Sequence, residues 1–317
     1  MKKSRLLPII GIVLFVYIIS RVNISKVLEG FGRINIFLFG FTLLILGAQH
    51  FLKGIRWKII IDSYNIRYPV LSSVKGWMIG FSLSLITPGK VGDFARAYYL
   101  KDKLETGKSL TTVMADRVID IFVLFVMAVI GIYFFVNSYV KDDFLLYGTY
   151  ALFAAFIAAI IIFSKKSIAT KFLRQFYRFA PKKYAVRMKK VYHDFYLGLE
   201  ILLKKKKRII VVGLVTISMW LISILTGYTL ALAMGLNISY LFLLMVTPIV
   251  MIILALPISF SGIGTRDAMM IFFFSYVGIS AEATLSYTIM NLVVDYIFGA
   301  IGFILFFRNP IKLDKKE

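Results

Sequence analysis

The sequence predicts an all-α integral membrane protein, a polytopic helical bundle of about eight spans with one or two re-entrant or broken helices. Three observations predict it. The 317-residue chain is 60% hydrophobic, against about 45–50% for a soluble domain. The excess is gathered into runs nearly free of charge: 6–20, 37–48, 118–136, 151–163, 209–233, 241–256 and 289–307. Several reach or approach the roughly 20 apolar residues needed to cross about 30 Å of hydrocarbon. Their residues do not alternate as barrel strands do, and in lipid each segment must satisfy its own backbone, so the runs are expected to be helices. Lastly, the net charge of +22 sits between the runs, as cationic loops beside anionic lipids would. A nucleic-acid partner is therefore not expected.

Basic flanks set the order of crossings. Lys2, Lys3 and Arg5 place the N-terminus in the cytoplasm, and a first span over 6–21 shows no small-x-small cleavage site. A short outside loop leads to span 2 (34–53). Residues 53–76 carry five basic side chains and belong inside, although Arg21, Lys26 and Arg33 run against this polarity. Residues 77–88 are apolar but too short to cross, and they lie between two basic stretches. They read as a re-entrant hairpin, tolerated at depth when buried in protein or lining a wet cavity. Spans 3 (115–136) and 4 (144–163) form a hairpin. The segment 164–208 follows with fifteen Lys and Arg against Asp194 and Glu200, and reads as a cytoplasmic amphipathic stretch. Its apolar residues recur at helical spacing, from Phe172, Phe176 and Phe179 to Phe195, Tyr196 and Leu199. Spans 5 (209–233) and 6 (238–256) precede a second broken segment, 257–280. The last span is 284–307, and Arg308, Lys312, Lys315 and Lys316 hold the C-terminus inside. The whole chain reads as one domain in the cell (plasma) membrane.

Five polar groups stand out, because ionisable residues at membrane depth are expensive and point to function. Arg56 follows span 2, with Trp57 and Lys58 read as interfacial anchors. Pro88, Gly89, Gly92, Asp93 and Arg96 form the densest motif. Its glycines permit a tight turn and close approach of a ligand, and a helix starting after Gly92 would offer free N–H groups to a phosphate. Arg96 could grip phosphate bidentately, and Asp93 could cap that helix or pair with Arg96. Asp116, Arg117 and Asp120 open span 3, with the two acids on one helix face. Ser259 to Asp267 form a second turn, with Gly262, Gly264, Arg266 and Asp267. Asn291 and Asp295 share a face of the last span, where Arg266 or Arg117 is the expected partner of Asp295. For each group a structural ion pair competes with a ligand-binding role. Interrupted helices in corresponding halves are a transporter signature, and the two Gly-rich turns fit it loosely.

Other chemistries find no residues. There is no cysteine, and the two histidines, His50 and His193, lie in different regions, so no metal or cofactor is expected. His50 and Gln49 read as a helix–helix hydrogen bond. Gly107-Lys108-Ser109 imitates a P-loop ending but lacks the earlier glycine and the strand.

Taken in this order, Arg56-Trp57, Pro88-Gly89-x-x-Gly92-Asp93-x-x-Arg96, Asp116-Arg117-x-x-Asp120, the Ser259–Asp267 turn and Asn291…Asp295 resemble the transmembrane region of lysylphosphatidylglycerol synthases, also called the flippase-like domain family. The resemblance covers nearly the whole chain. Family members more often carry Glu where this chain has Asp93, Asp116 and Asp267. With Glu317 ending the chain, the soluble aminoacyl-transfer domain and its reaction are not expected. The resemblance implies movement of lipids, or lipid-linked saccharides, between leaflets.

The leading expectation is thus a flippase or scramblase for an anionic or phosphate-bearing lipid, with Arg56, Arg96, Arg117 and Arg266 neutralising the headgroup and Asp116, Asp120 and Asp295 holding those arginines or relaying protons. A membrane enzyme acting on lipid phosphates or glycolipids, and a non-catalytic scaffold docking through 164–208, are the alternatives. A homo-oligomer stays open.

Overall fold

In a computed structural model, residues 7–140, 144–164, 182–255 and 262–310 are described. Among them there is no strand, and the protein is an all-α integral membrane protein. The helices are α1 (Leu7–Arg21), α2 (Ile24–Gly32), α3 (Ile36–Ile61), α4 (Val70–Leu85), α5 (Thr106–Phe135), α6 (Phe144–Ser164), α7 (Lys182–Lys204), α8 (Lys206–Ala233), α9 (Tyr240–Ala255), α10 (Thr265–Ser275) and α11 (Ala281–Arg308). Among the described residues, four helical stretches are long and apolar enough to cross a membrane: Ile36–Tyr64, Thr106–Val140, Lys206–Ala233 and Ala281–Arg308. Val70–Leu85 and Tyr240–Leu254 are apolar but shorter. Large apolar side chains such as Phe37 (87% exposed), Leu44 and Phe307 point outward, as expected of a lipid-facing girdle.

Local sequence explains the element boundaries. Asn35 caps α3, its Oδ1 accepting from the N–H of Phe37 and Leu38 at 3.1 and 3.2 Å. Ser280 caps α11 in the same way through Ala283. The expected outside loop after the first span is in fact mostly α2, an amphipathic helix capped by Asn23 and laid against α11. Ser286 Oγ, which donates to Val27 O at 2.9 Å, fastens it there.

A hairpin is present where the re-entrant one was expected, but it begins earlier, at Val70. α4 enters, and a 13-residue 3₁₀ segment, Pro88–Leu100, returns against it. Thr87 clamps the turn: its hydroxyl donates to Leu83 O and accepts from Gly92 N, both at 2.8 Å. No α-helix starts after Gly92, so the expected anion cradle of free N–H groups is not formed there. A 3₁₀ run this long is unusual, and it is held by its neighbours rather than by its own geometry. Gly92 abuts the backbone of Leu83, where a Cβ would overlap it.

The apolar core has two main parts. One joins α5, α8, α9, α10 and α11 around Phe135, Phe242, Phe273 and Phe274. The other joins α3, α4, the 3₁₀ segment and α5 around Trp57, Ile61, Trp77 and Leu100. Of the basic segment 164–208, residues 165–181 lie outside the described residues. The described part of α7 docks on α5, where Thr111 Oγ1 donates to Phe195 O at 3.0 Å and Tyr64 OH donates to Gly198 O at 3.1 Å.

Candidate functional site

Between the two cores three arginines and three aspartates form one continuous chain of ion pairs. Arg56, on α3, places Nη1 2.6 Å from Asp120 Oδ1 and Nε 2.7 Å from Asp116 Oδ1, both on α5. Asp116 reaches across with Oδ2 to Arg96 Nη2 at 2.7 Å, and the same Nη2 lies 2.9 Å from Asp93 Oδ2. Asp93 Oδ2 then accepts from Arg117 Nε at 2.7 Å. The order is Asp120–Arg56–Asp116–Arg96–Asp93–Arg117, charges alternating throughout. Asp93, Arg96, Asp116 and Arg56 are buried, while Asp120 and Arg117 at the two ends keep partial exposure. Thr216 on α8 adds an acceptor for Arg56 Nη1 at 3.2 Å.

Helix packing makes this chain possible. Gly76 and Gly80 are four apart on α4, one small-residue face. A Cβ on Gly76 would strike the Trp57 ring, and one on Gly80 would meet Asp93 Oδ1 at 2.8 Å. Trp57 is not an interfacial anchor: it is fully buried, donates from Nε1 to Thr112 Oγ1 at 3.1 Å, and lies under the Arg96 guanidinium at 5.0 Å. A buried cation over an indole face gains from the ring quadrupole. Lys58 pairs with Asp62 instead of anchoring alone.

A cavity opens beside the ion chain. Its outer chamber, so called for the side that touches the ion chain, is about 160 Å3 and is lined by α3, α4, the 3₁₀ segment, α5, α8, α9, α10 and α11. An inner chamber of about 180 Å3 adjoins it. Gln49, Lys53, Lys90, Trp220, Arg266 and Asp295 line both. Arg56, Arg117 and Asp120 line only the outer chamber, and His50 and Asn291 only the inner. The two Gly-rich turns do converge: the first contributes Lys90, the second Gly262 and Arg266.

The arginines of the ion chain are already neutralised by their aspartates. Outside the chain, the charges on the cavity wall are Lys53, Lys90 and Arg266 against Asp295. Lys53 lies 5.3 Å from the Trp77 ring centroid, and among the described residues no carboxylate is in ion-pair contact with Lys53 or Lys90. Arg266 donates from Nη2 to Thr288 O at 2.9 Å, with Asp267 Oδ1 3.8 Å from its Nε. The charges that act on Asp295 are Arg266, Lys53 and Lys90, but none makes the direct ion pair expected from the sequence, and Arg117 is engaged by Asp93.

A model of the lysylphosphatidylglycerol synthase transmembrane region matches residues 6–302. The chain belongs to this family. Relatives are UPF0104 membrane proteins of archaea. That of Methanocaldococcus jannaschii is 26% identical over 99% of this chain and 97% of its own length. That of Pyrococcus horikoshii is 23% identical over 97% of each chain. One from Methanothermobacter thermautotrophicus is 24% identical over 78% of each. No solved structure matches.

In this member of the lysylphosphatidylglycerol synthase transmembrane-region family, the expected site residues divide three ways. Arg56, Asp93, Arg96, Asp116, Arg117 and Asp120 meet in the ion chain. Gly262, Arg266, Asn291 and Asp295 meet at the cavity. Asp267 is spent on structure: its Oδ2 accepts from Gly264 N at 2.9 Å and so satisfies the N-cap backbone at the start of α10, where Gly262 and Gly264 hold φ of 81° and 80°. Pro88 and Gly89 form the first turn of the 3₁₀ segment. Pro257 and Ser259–Ser261 lie outside the described residues. Sequence reading missed Lys53 and Lys90. The available signal was the spacing of Gln49, Lys53 and Arg56 on one face of α3. Gln49 makes the expected interhelical bond, Nε2 donating to Met219 O at 3.0 Å, whereas His50 makes none.

Proposed function

We propose that this protein moves a phosphate-bearing membrane lipid, a phospholipid or a polyprenyl-phosphate-linked lipid, between leaflets, with both termini cytoplasmic in the cell membrane. The observation that carries this reading is the pair of lysines, Lys53 and Lys90, facing a cavity among apolar helices with no contacting carboxylate among the described residues. A cation at membrane depth is retained where it meets water or a ligand. A phosphate would accept charge-assisted hydrogen bonds from both lysines and from Arg266. The neutral ion chain fixes the wall beside them, so the cavity's charge does not depend on the arginines first expected to bind the headgroup. The enzyme alternative loses support, because Asp116 and Asp120, the acids it relied on, both face Arg56.

The test is leaflet exchange of fluorescent phosphate lipids in liposomes, comparing wild type with Lys53→Met and Lys90→Met at equal folded yield. The expected result is exchange that either substitution lowers at least about tenfold, one charge-assisted contact being worth roughly 1.5–3 kcal/mol. Exchange that ignores both substitutions, or no exchange of any phosphate lipid, rejects the reading.

A further inference from the structure

The inner chamber has hydrogen-bonding groups that nothing among the described residues completes. His50 is buried at 3% exposure, boxed by the rings of Trp77, Phe81 and Phe298 at 5.2, 4.7 and 4.9 Å, and among the described residues neither of its nitrogens has a hydrogen-bond partner. Trp220 Nε1 is likewise buried and without a partner. Buried polar groups left unbonded in a folded protein are costly, and such groups on a cavity wall point to something that completes them.

The rest of the wall narrows what that is. Thr226 and Thr288 spend their hydroxyl protons on Ile222 O and Leu285 O, so their oxygens face a ligand as acceptors. Gln49 spends its amide on Met219 O and keeps its carbonyl, and Asp295 offers a carboxylate. Gln49 and Asp295 stand on the wall the two chambers share, and Thr226 and Thr288 line the inner chamber alone; an ionised phosphodiester only accepts hydrogen bonds, so these last two acceptors do not suit it. A neutral imidazole both donates and accepts, and a hydroxyl is the group that answers both roles. The three cations that suit a phosphate stand where the two chambers meet. A chamber of about 180 Å3 holds several times the ~30 Å3 share of one water, enough for more than a solvent molecule.

We infer that the inner chamber is a subsite for a hydroxyl-rich headgroup, a polyol or a sugar, whose linking phosphate sits at the junction between Lys53, Lys90 and Arg266. His50 and Trp220 donate to its hydroxyl oxygens, and Asp295 and Gln49 accept from its hydroxyl protons. This rests on the transport reading and specifies the cargo: one hydroxylated end, one phosphate, one lipid tail.

The experiment measures binding to the detergent-solubilised full chain by thermal stabilisation. The probes are phosphatidylmethanol, phosphatidylinositol and a polyprenyl phosphohexose. The first two carry the same phosphodiester with and without a polyol, and the third separates a sugar-lipid source from a phospholipid source. Wild type is expected to prefer at least one hydroxylated lipid over phosphatidylmethanol by about tenfold, the worth of one or two added hydrogen bonds. Trp220→Phe, which keeps the ring and removes the N–H, and His50→Phe should each pull that ratio at least about threefold towards one, leaving phosphatidylmethanol affinity within about twofold. Lys90→Met should weaken every probe in parallel. A wild-type ratio near one, or a ratio that Trp220→Phe leaves intact, overturns the subsite while the transport reading stands. Failure of every probe to bind wild type overturns both.

Discussion

Replacing Asp116 with Asn tests whether the ion chain is the structural spine of the bundle. Asp116 is 1% exposed and is the sole link between Arg56 and Arg96, at 2.7 Å to each. Asn keeps the shape and removes the charge. The chain would then hold three guanidinium groups against two carboxylates, with one positive charge left buried. Arg56 would retain Asp120 at 2.6 Å, and Arg96 would retain Asp93 at 2.9 Å, so neither cation is stranded alone. Breaking a buried pair by removing one partner costs about 3–5 kcal/mol, and this substitution weakens two pairs at once, so a loss of about that size is expected. Asp120→Asn supplies the internal comparison. Asp120 has 19% side-chain exposure and one contacting partner, so water can replace part of what is lost and about 1–2 kcal/mol is expected. The assay is reversible unfolding in mixed detergent and SDS micelles, followed by helical circular dichroism. A loss below about 1 kcal/mol for Asp116→Asn, or one no larger than for Asp120→Asn, would refute the reasoning: the six charges would then be solvated, not mutually held.

Other substitutions probe separate links. Lys90→Met should leave unfolding unchanged or shift it up by about 0.5–1 kcal/mol while abolishing lipid exchange, because an uncompensated cation is kept for function rather than stability. Gly302→Val should destabilise by about 1–3 kcal/mol in the same unfolding assay, since its side chain would overlap Ser82 Oγ and Met78 O at the α4–α11 crossing. Tyr64→Phe removes the hydroxyl that donates to Gly198 O, and should cost about 0.5–1.5 kcal/mol and speed proteolytic cleavage within α7.

The ion chain was largely legible because charges entering a span must find partners, and Asp116 and Asp120 at i, i+4 restrict where those partners lie. What the spacing could not show was that the arginines pair with these acids and with Asp93 in one chain, Arg96 through Nη2 alone. Arg56, Arg96 and Arg117 read as free cations only while Asp93 is thought of as a helix cap. Once the 3₁₀ segment folds back on the Gly76–Gly80 face of α4, Asp93 lies between Arg96 and Arg117 and the set closes on itself. Lys53 and Lys90 went unread for a related reason: in a chain this basic, a lysine beside a span counts first as a topology marker, and only the packed helices show that these two line the cavity. Trp57 shows the same limit, since an aromatic after an apolar run fits the interface by sequence and lies at the centre of a core in space.

The two sets of charges have opposite physical logic, and the hairpin of α4 with the 3₁₀ segment connects them. Mutual pairing makes the ion chain rigid, so α3, α5 and the 3₁₀ segment move together or not at all. Lys90 rides on that rigid unit, in the left-handed region at φ 56°, three residues before Asp93. Arg266 and Asp295 belong instead to α10 and α11, across the cavity. A phosphate bridging Lys90 and Arg266 would therefore tie the two sides of the cavity together, and its departure would leave like charges facing each other. On the transport reading proposed above, ligand occupancy and the separation of the two sides would thus be coupled electrostatically, with Asp295 as the one counter-charge left when the phosphate departs, which is the coupling a carrier needs if its cavity is to open when empty and close when filled.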